Sequence, residues 1–183
     1  METKTLEQVK TECENCRKCP LWETRTNIVF GVGDPHARLM FVGEAPGENE
    51  DKTGVPFVGA AGKLFDKYLA AVGIDRKDVY IANILKCRPP KNRDPKPEEE
   101  DMCIEYLRGQ VRAIKPEMIV CLGRISAMRL IKPDFKITSE HGKWFRKGSF
   151  DICAVYHPSA LLRDPHKKDD MLADMMDIAA KLK

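Results

Sequence analysis

Four short apolar runs set the rhythm of the chain. They are Arg38 to Val42, Val79 to Ala82, Met118 to Leu122 and Ile152 to Tyr156. Each is four or five residues long and almost free of polar interruption, the pattern of a strand covered on both faces. Between them the apolar residues fall three and four apart, which is the helical period. Leu6, Val9, Cys13 and Cys16 share one face of a helix from about Thr5 to Arg17. Ala61, Leu64, Phe65, Tyr68, Leu69 and Val72 predict a helix from Ala60 to Val72, stopped by Gly73. Pro97 suits a first helical position, and Glu98 to Asp101 suit the positive end of the helix it opens. The inner face of that helix carries Cys103, Leu107, Val111 and Ile114. A short helix through Ile125, Met128 and Ile131 follows the third run, and residues 136–150 read as a hairpin or an irregular excursion. The last helix buries Met171, Leu172, Met175, Ile178, Ala179 and Leu182. Strand and helix alternate four times, so the expected fold is α/β, with a mainly parallel four-stranded sheet between helix layers.

Ligands in such sheets bind beyond the carboxyl ends of the strands. Glu44, Asn83 and His157 each stand at or just past such an end, so all three are expected on one edge. The loop after the first strand, Gly43 to Asp51, is the most informative. Its Gly and Pro residues hold backbone close to something small. A phosphate cradle is excluded, because Glu44, Glu48, Glu50 and Asp51 crowd the same turn and would repel the anion. Glu48 and Asp51 are read as solvated. With Phe57 as a stacking surface, the crevice set is Glu44, Phe57, Asn83 and His157. The Asn83 amide offers a donor and an acceptor side by side, which matches the adjacent N–H and C=O of a ring such as uracil.

At 183 residues, with 43% hydrophobic and 32% charged positions, the chain suits one domain with a real core. No run is long enough to cross a membrane. The charged first ten residues lack a signal-peptide core, which points to a cytoplasmic protein. A net charge of +3 says little by itself, but two basic clusters can meet phosphates. One is Lys86, Arg88, Lys91, Arg93 and Lys96 in a proline-rich loop; the other is Arg163, Lys167 and Lys168. With no exposed apolar helix or heptad evident, a monomer is expected.

Seven cysteines argue for a metal or cluster rather than disulfides. Cys121 and Cys153 lie inside apolar runs and are read as core. Cys13, Cys16, Cys19, Cys87 and Cys103 are then five candidates for four ligand positions. Zinc and a [4Fe–4S] cluster both accept four thiolates, and spacing does not separate them.

Gly43-Glu44-Ala45-Pro46-Gly47, followed by Glu50-Asp51, Gly54, Pro56-Phe57-Val58-Gly59 and Ala61-Gly62, resembles the first motif of the family-4, iron–sulfur uracil-DNA glycosylases. His157-Pro158-Ser159-Ala160-Leu161-Leu162-Arg163 resembles their second, and Lys86-Cys87-Arg88-Pro89-Pro90 resembles part of their cluster site. The likeness runs from about Cys13 to the last helix. It implies a single domain over residues 1–183, a three-layer α/β/α sandwich, a [4Fe–4S] cluster on Cys13, Cys16, Cys87 and Cys103, and removal of uracil from single- or double-stranded DNA. Cys19 is an extra cysteine in that pattern. The best-known first motif of the wider superfamily has an Asp where this chain has Ala45 and a Tyr where it has Gly47. Water activation and exclusion of thymine's methyl must then be met differently.

By the same resemblance, deoxyuridine flips into the crevice. Gly43, Glu44, Ala45, Phe57, Asn83 and His157 bind the uracil. His157 stabilises charge on uracil O2. Glu44, or in second place Glu50, orients the water; Glu50 can instead line the C5 side of the base. Leu161 or Leu162 wedges into the vacated stack, and Arg88, Arg93 and Arg163 hold phosphates. Two readings compete: an iron–sulfur redox or sensor protein, and a module that binds uracil without excising it.

Overall fold

The computed structural model describes residues 2–183. Its centre is a six-stranded sheet in the order β1-β3-β2-β4-β6-β5. The strands are β1 (Val32–Gly33), β2 (Leu39–Gly43), β3 (Tyr80–Asn83), β4 (Met118–Leu122), β5 (Phe145–Lys147) and β6 (Phe150–Val155). The four expected strands are β2, β3, β4 and β6, and they are mutually parallel. Two short strands extend the sheet: β1 runs antiparallel to β3, and β5 antiparallel to β6. The expected excursion at 136–150 resolves into a single helical turn and the β5–β6 hairpin.

The helices are α1 (Leu6–Glu14), α2 (Glu48–Thr53), α3 (Ala60–Ala71), α4 (Pro97–Ile114), α5 (Arg124–Leu130), α6 (Ile137–Glu140), α7 (Pro158–Arg163) and α8 (Lys168–Leu182). Strand alternation sends neighbouring residues to opposite layers. Leu39 and Phe41 of β2 pack with Phe65 and Leu69 of α3 and with Met171, Met175 and Ile178 of α8. Met40 and Val42 pack on the other side with Ile104 and Leu107 of α4 and Ala127 of α5. All residues of β2, β3 and β4 are buried, which explains their unbroken apolar pattern. This is the three-layer α/β/α arrangement.

A third, smaller core lies beside the sheet. Thr5 opens α1 with a capping box to Gln8, and α1 lays Val9 against α4 at Gly109. Val9, Cys13, Leu21, Phe30, Leu85, Cys87, Cys103 and Tyr106 make this cluster. α1 ends at Glu14, earlier than the expected Arg17, so Cys16 sits on the loop beyond it.

The loop after β2 holds a helix that apolar periodicity does not reveal. Glu48, Glu50 and Asp51 occupy the first turn of α2, where carboxylates are favoured. Asp51 is not solvated as expected. It is 5% exposed, accepting from the backbone N–H groups of Thr26 (2.8 Å) and Asn27 (3.2 Å). Asn27 Nδ2 in turn donates to the Asp51 carbonyl. The acid thus pins the segment before β1 to the crevice loop. Glu48 is exposed, as expected, and pairs with Lys52.

Candidate active site and cysteine pocket

The parallel register brings the strand ends level, since Gly43 pairs with Asn83 and Leu122 with Val155. Across those ends lies a crevice of about 730 Å³ lined by Glu44, Glu50, Phe57, Asn83 and His157, among others. Gly43 is needed by close approach. A Cβ there would collide with Asn83 Oδ1 and the Phe57 ring. Phe57 stands at φ 54°, a left-handed conformation that is costly for a bulky residue. Arg76 secures it by donating to the carbonyls of Phe57 (2.9 Å) and Pro56 (2.6 Å). Gly62 lets α3 sit directly on the Phe57 carbonyl.

Asn83 is 2% exposed, and its Oδ1 is a buried acceptor without a hydrogen-bond partner. An acceptor left alone in this way costs free energy unless a ligand supplies the donor. The His157 ring lies 5.6 Å from the Phe57 ring. His157 caps α7, and its Nδ1 accepts from the Ser159 backbone N–H (3.1 Å), with Ser159 Oγ at 2.7 Å. A backbone N–H can only donate, so Nδ1 carries no proton and Nε2–H is the free donor. Burial, helped by Arg163, pushes the His157 pKa down to about 4, so the ring is neutral near pH 7.

Glu44 is partly buried. Desolvation, then the Asp94 carboxylate, raise its pKa to about 7, while Arg124 works the other way. Asp94 and Arg124 both line the crevice and approach each other to 3.9 Å. Neither is among the candidates from sequence. Arg124 follows β4 much as Glu44 follows β2, so the strand-end argument applied to β4 would have found it. Glu50 Oε1 lies 3.3 and 3.4 Å from the N–H groups of Val58 and Gly59, which ties α2 to the turn after Phe57. Ala45 also lines the crevice.

The basic residues divide. Arg163 is exposed on the rim, with Lys167 beside it. Arg88 Nε donates to Asn92 Oδ1 at 2.7 Å. Arg93 is committed to the buried Glu99 through two contacts of 2.6 and 3.0 Å, so its fork braces the proline loop from within. Lys86 is 1% exposed and takes no part in a surface cluster. The two leucines separate as well. Leu161 is fully buried under α7 in the core and out of reach of a DNA stack, whereas Leu162 is 52% exposed.

Five cysteines, Cys13, Cys16, Cys19, Cys87 and Cys103, line one small pocket between α1, the segment after β3 and α4. Cys121 and Cys153 are core residues of β4 and β6, as expected. Burial pushes the Cys13 and Cys103 thiols up to about 12. Among the described residues no three His, Cys, Asp or Glu side chains converge closely enough to hold a single metal ion.

Residues 30–179 match the model of the uracil DNA glycosylase superfamily. The chain is 46% identical to the type-4 uracil-DNA glycosylase of Archaeoglobus fulgidus, over 95% of this chain and 92% of that protein. It is 44% identical to that of Sulfurisphaera tokodaii, over 95% and 83%, and 40% identical to that of Pyrobaculum aerophilum, over 93% and 91%. The chain therefore belongs to the uracil-DNA glycosylase superfamily and, within it, to the type-4 group. Among the described residues no helix is long and apolar enough to cross a membrane.

Proposed function

We propose that this chain excises uracil from DNA, hydrolysing the N-glycosidic bond of a flipped deoxyuridine and leaving an abasic site. The observation that carries the reading is the orphaned Asn83 Oδ1 in a crevice that also holds Phe57, Glu44 and a neutral His157. Uracil N3–H supplies the donor that Oδ1 lacks, and the amide N–H groups can then meet O4. Cytosine carries no proton at N3 and a donor at position 4, so it leaves both atoms mismatched. The base stacks on Phe57.

As the C1′–N1 bond breaks, its electron pair passes to the uracil ring and charge gathers on O2. His157 Nε2–H donates to that oxygen, a stronger interaction in the transition state than before it. Because the Ser159 N–H fixes the tautomer, no proton has to move to prepare this donor. The Glu44 carboxylate orients the water that attacks C1′ and takes its proton. Glu50 lines the crevice with its carboxylate against Gly47, and in this reading it guards the C5 side of the base against thymine's methyl. Leu162 is the wedge, and Arg88 and Arg163 meet phosphates.

The cysteine pocket suits an iron–sulfur group, since its donors are all soft thiols within an apolar cluster. Cys13, Cys16, Cys87 and Cys103 would hold a [4Fe–4S] cluster, whose contribution is a cross-link between the helix layer and the proline loop, because the hydrolysis transfers no net electron.

The test is a glycosylase assay on matched oligonucleotides bearing one uracil, thymine or cytosine, with alkaline cleavage at abasic sites. Cleavage confined to uracil is expected. No cleavage by protein with its full iron content would leave uracil binding or redox sensing as the function.

A further inference from the structure

Lys86 is the most deeply buried charged side chain near the site, yet no carboxylate faces it. Its Nζ donates to the carbonyl of Asn83 (2.9 Å), the carbonyl of Phe30 (3.0 Å) and Gln110 Oε1 (2.7 Å). An ammonium has three protons, and all three are used. Gln110 Nε2 donates to the same Phe30 carbonyl (2.7 Å) and to Tyr80 Oη (3.2 Å), which closes the network. On its main chain, Lys86 donates its N–H to Cys103 Sγ (3.3 Å) and accepts from Val29. One residue therefore grips the strand that ends in Asn83, the segment before β1, and α4 at the cysteine pocket.

The consequence lies on the other side of Asn83. Its side-chain amide faces the crevice with Oδ1 unpaired, while its main-chain carbonyl is held from behind by Lys86. A side chain without partners in the free protein takes its direction from its backbone and from neighbouring walls. Gly43 and Phe57 supply the walls. We propose that Lys86 is the positioning residue for uracil recognition: its ammonium locks the Asn83 peptide so that the amide is presented at the angle the base requires. This rests on the reading of Asn83 as the uracil-reading residue. A buried network of this kind is rigid when fully satisfied and loosens when one member is lost.

The test is a double-mutant cycle between Lys86→Met and Asn83→Ala in the iron-loaded protein. Two readouts are followed: kcat/KM on uracil DNA, and the Kd of free uracil by calorimetry. Iron content is checked for each variant. With Asn83 present, Lys86→Met is expected to lower kcat/KM about 10-fold and to weaken uracil binding by a similar factor. In the Asn83→Ala background the same change is expected to cost less than about 2-fold, since nothing remains to be positioned. A purely structural lysine gives the same loss in both backgrounds, and that result overturns the proposal. If Asn83→Ala itself leaves uracil cleavage and binding intact, the reading of Asn83 fails and the proposal with it. Should Lys86→Met not fold, Gln110→Leu removes one of the three anchors of the ammonium. Its cycle with Asn83→Ala then decides on the same criterion.

Discussion

Two side chains in the crevice have been moved off their ordinary ionisation by the same cause, burial, with opposite results. Glu44 is raised to about 7 and His157 lowered to about 4. Both shifts favour the neutral form, so both oppose folding when the unfolded chain would ionise. The His157 contribution to stability is present above about pH 6.5 and is lost as pH falls through about 4. The Glu44 contribution is present below about pH 4.5 and is lost as pH rises through about 7. In the proposed mechanism activity needs the Glu44 carboxylate ionised. The single-turnover rate should therefore climb with pH through about 7, with no second limb from His157 above pH 5. Glu44→Gln should lower that rate by about 10²-fold and flatten the climb. The same change should raise the melting temperature more at pH 8 than at pH 5. An unchanged rate in Glu44→Gln would remove Glu44 from water activation. Glu50 answers to a different readout. Glu50→Ala should admit thymine to cleavage if its side chain guards the C5 edge; discrimination equal to the wild type would assign that guard to another group. Sequence placed Glu44, Asn83 and His157 together because each closes a strand, a rule that needs no side-chain detail. It did not place Asp94, whose effect on Glu44 arises only where the proline loop folds back over the strand ends, whereas Arg124 answers to the same strand-end rule at β4. It also misread Asp51, whose partners are backbone groups some 25 residues earlier and leave no mark in composition.

At the level of elements, α7 decides which leucine can act. Its six residues are too short for apolar periodicity to fix a phase, so sequence left Leu161 and Leu162 as equals. The fold sends Leu161 into the α3–α8 core and Leu162 outward. Leu161→Ala should cost about 2–5 kcal/mol of stability, read from denaturant unfolding, as a buried truncation does. Leu162→Ala should leave stability within about 0.5 kcal/mol but lower cleavage of duplex DNA more than of single strands, where no stack is opened. Equal losses on both substrates would count against the wedge. The long elements were legible because their burial is one-sided or complete: α3 by its stripe, β2 and β4 by their unbroken apolar runs. Those that were missed, α2, α6, α7 and β1, have two to six residues, too few for a period to show.

Across the whole molecule, the small core around the cysteines supports the crevice from outside the sheet. Cys87 and Cys103 flank the proline loop that carries Asn92 and Asp94 to the crevice, and Arg93 with Glu99 braces that loop within. Replacing Cys87 or Cys103 by Ser should lower the iron per chain and destabilise the fold, whereas Cys121→Ala and Cys153→Ala should keep full iron, measured by elemental analysis. Full iron in Cys87→Ser would exclude that residue as a ligand. Cys19→Ser tests whether the fifth thiol is a bystander, with unchanged iron as the expected result. Iron-loaded wild type and His157→Ala are given oligonucleotides differing only in one base, and the released base is identified by mass spectrometry. The expected result is free uracil from the uracil strand alone, with the rate falling by about 10²–10³-fold in His157→Ala, the loss typical of an oxyanion donor. Uracil release at an equal rate by both proteins, or no release by the wild type, would contradict the account.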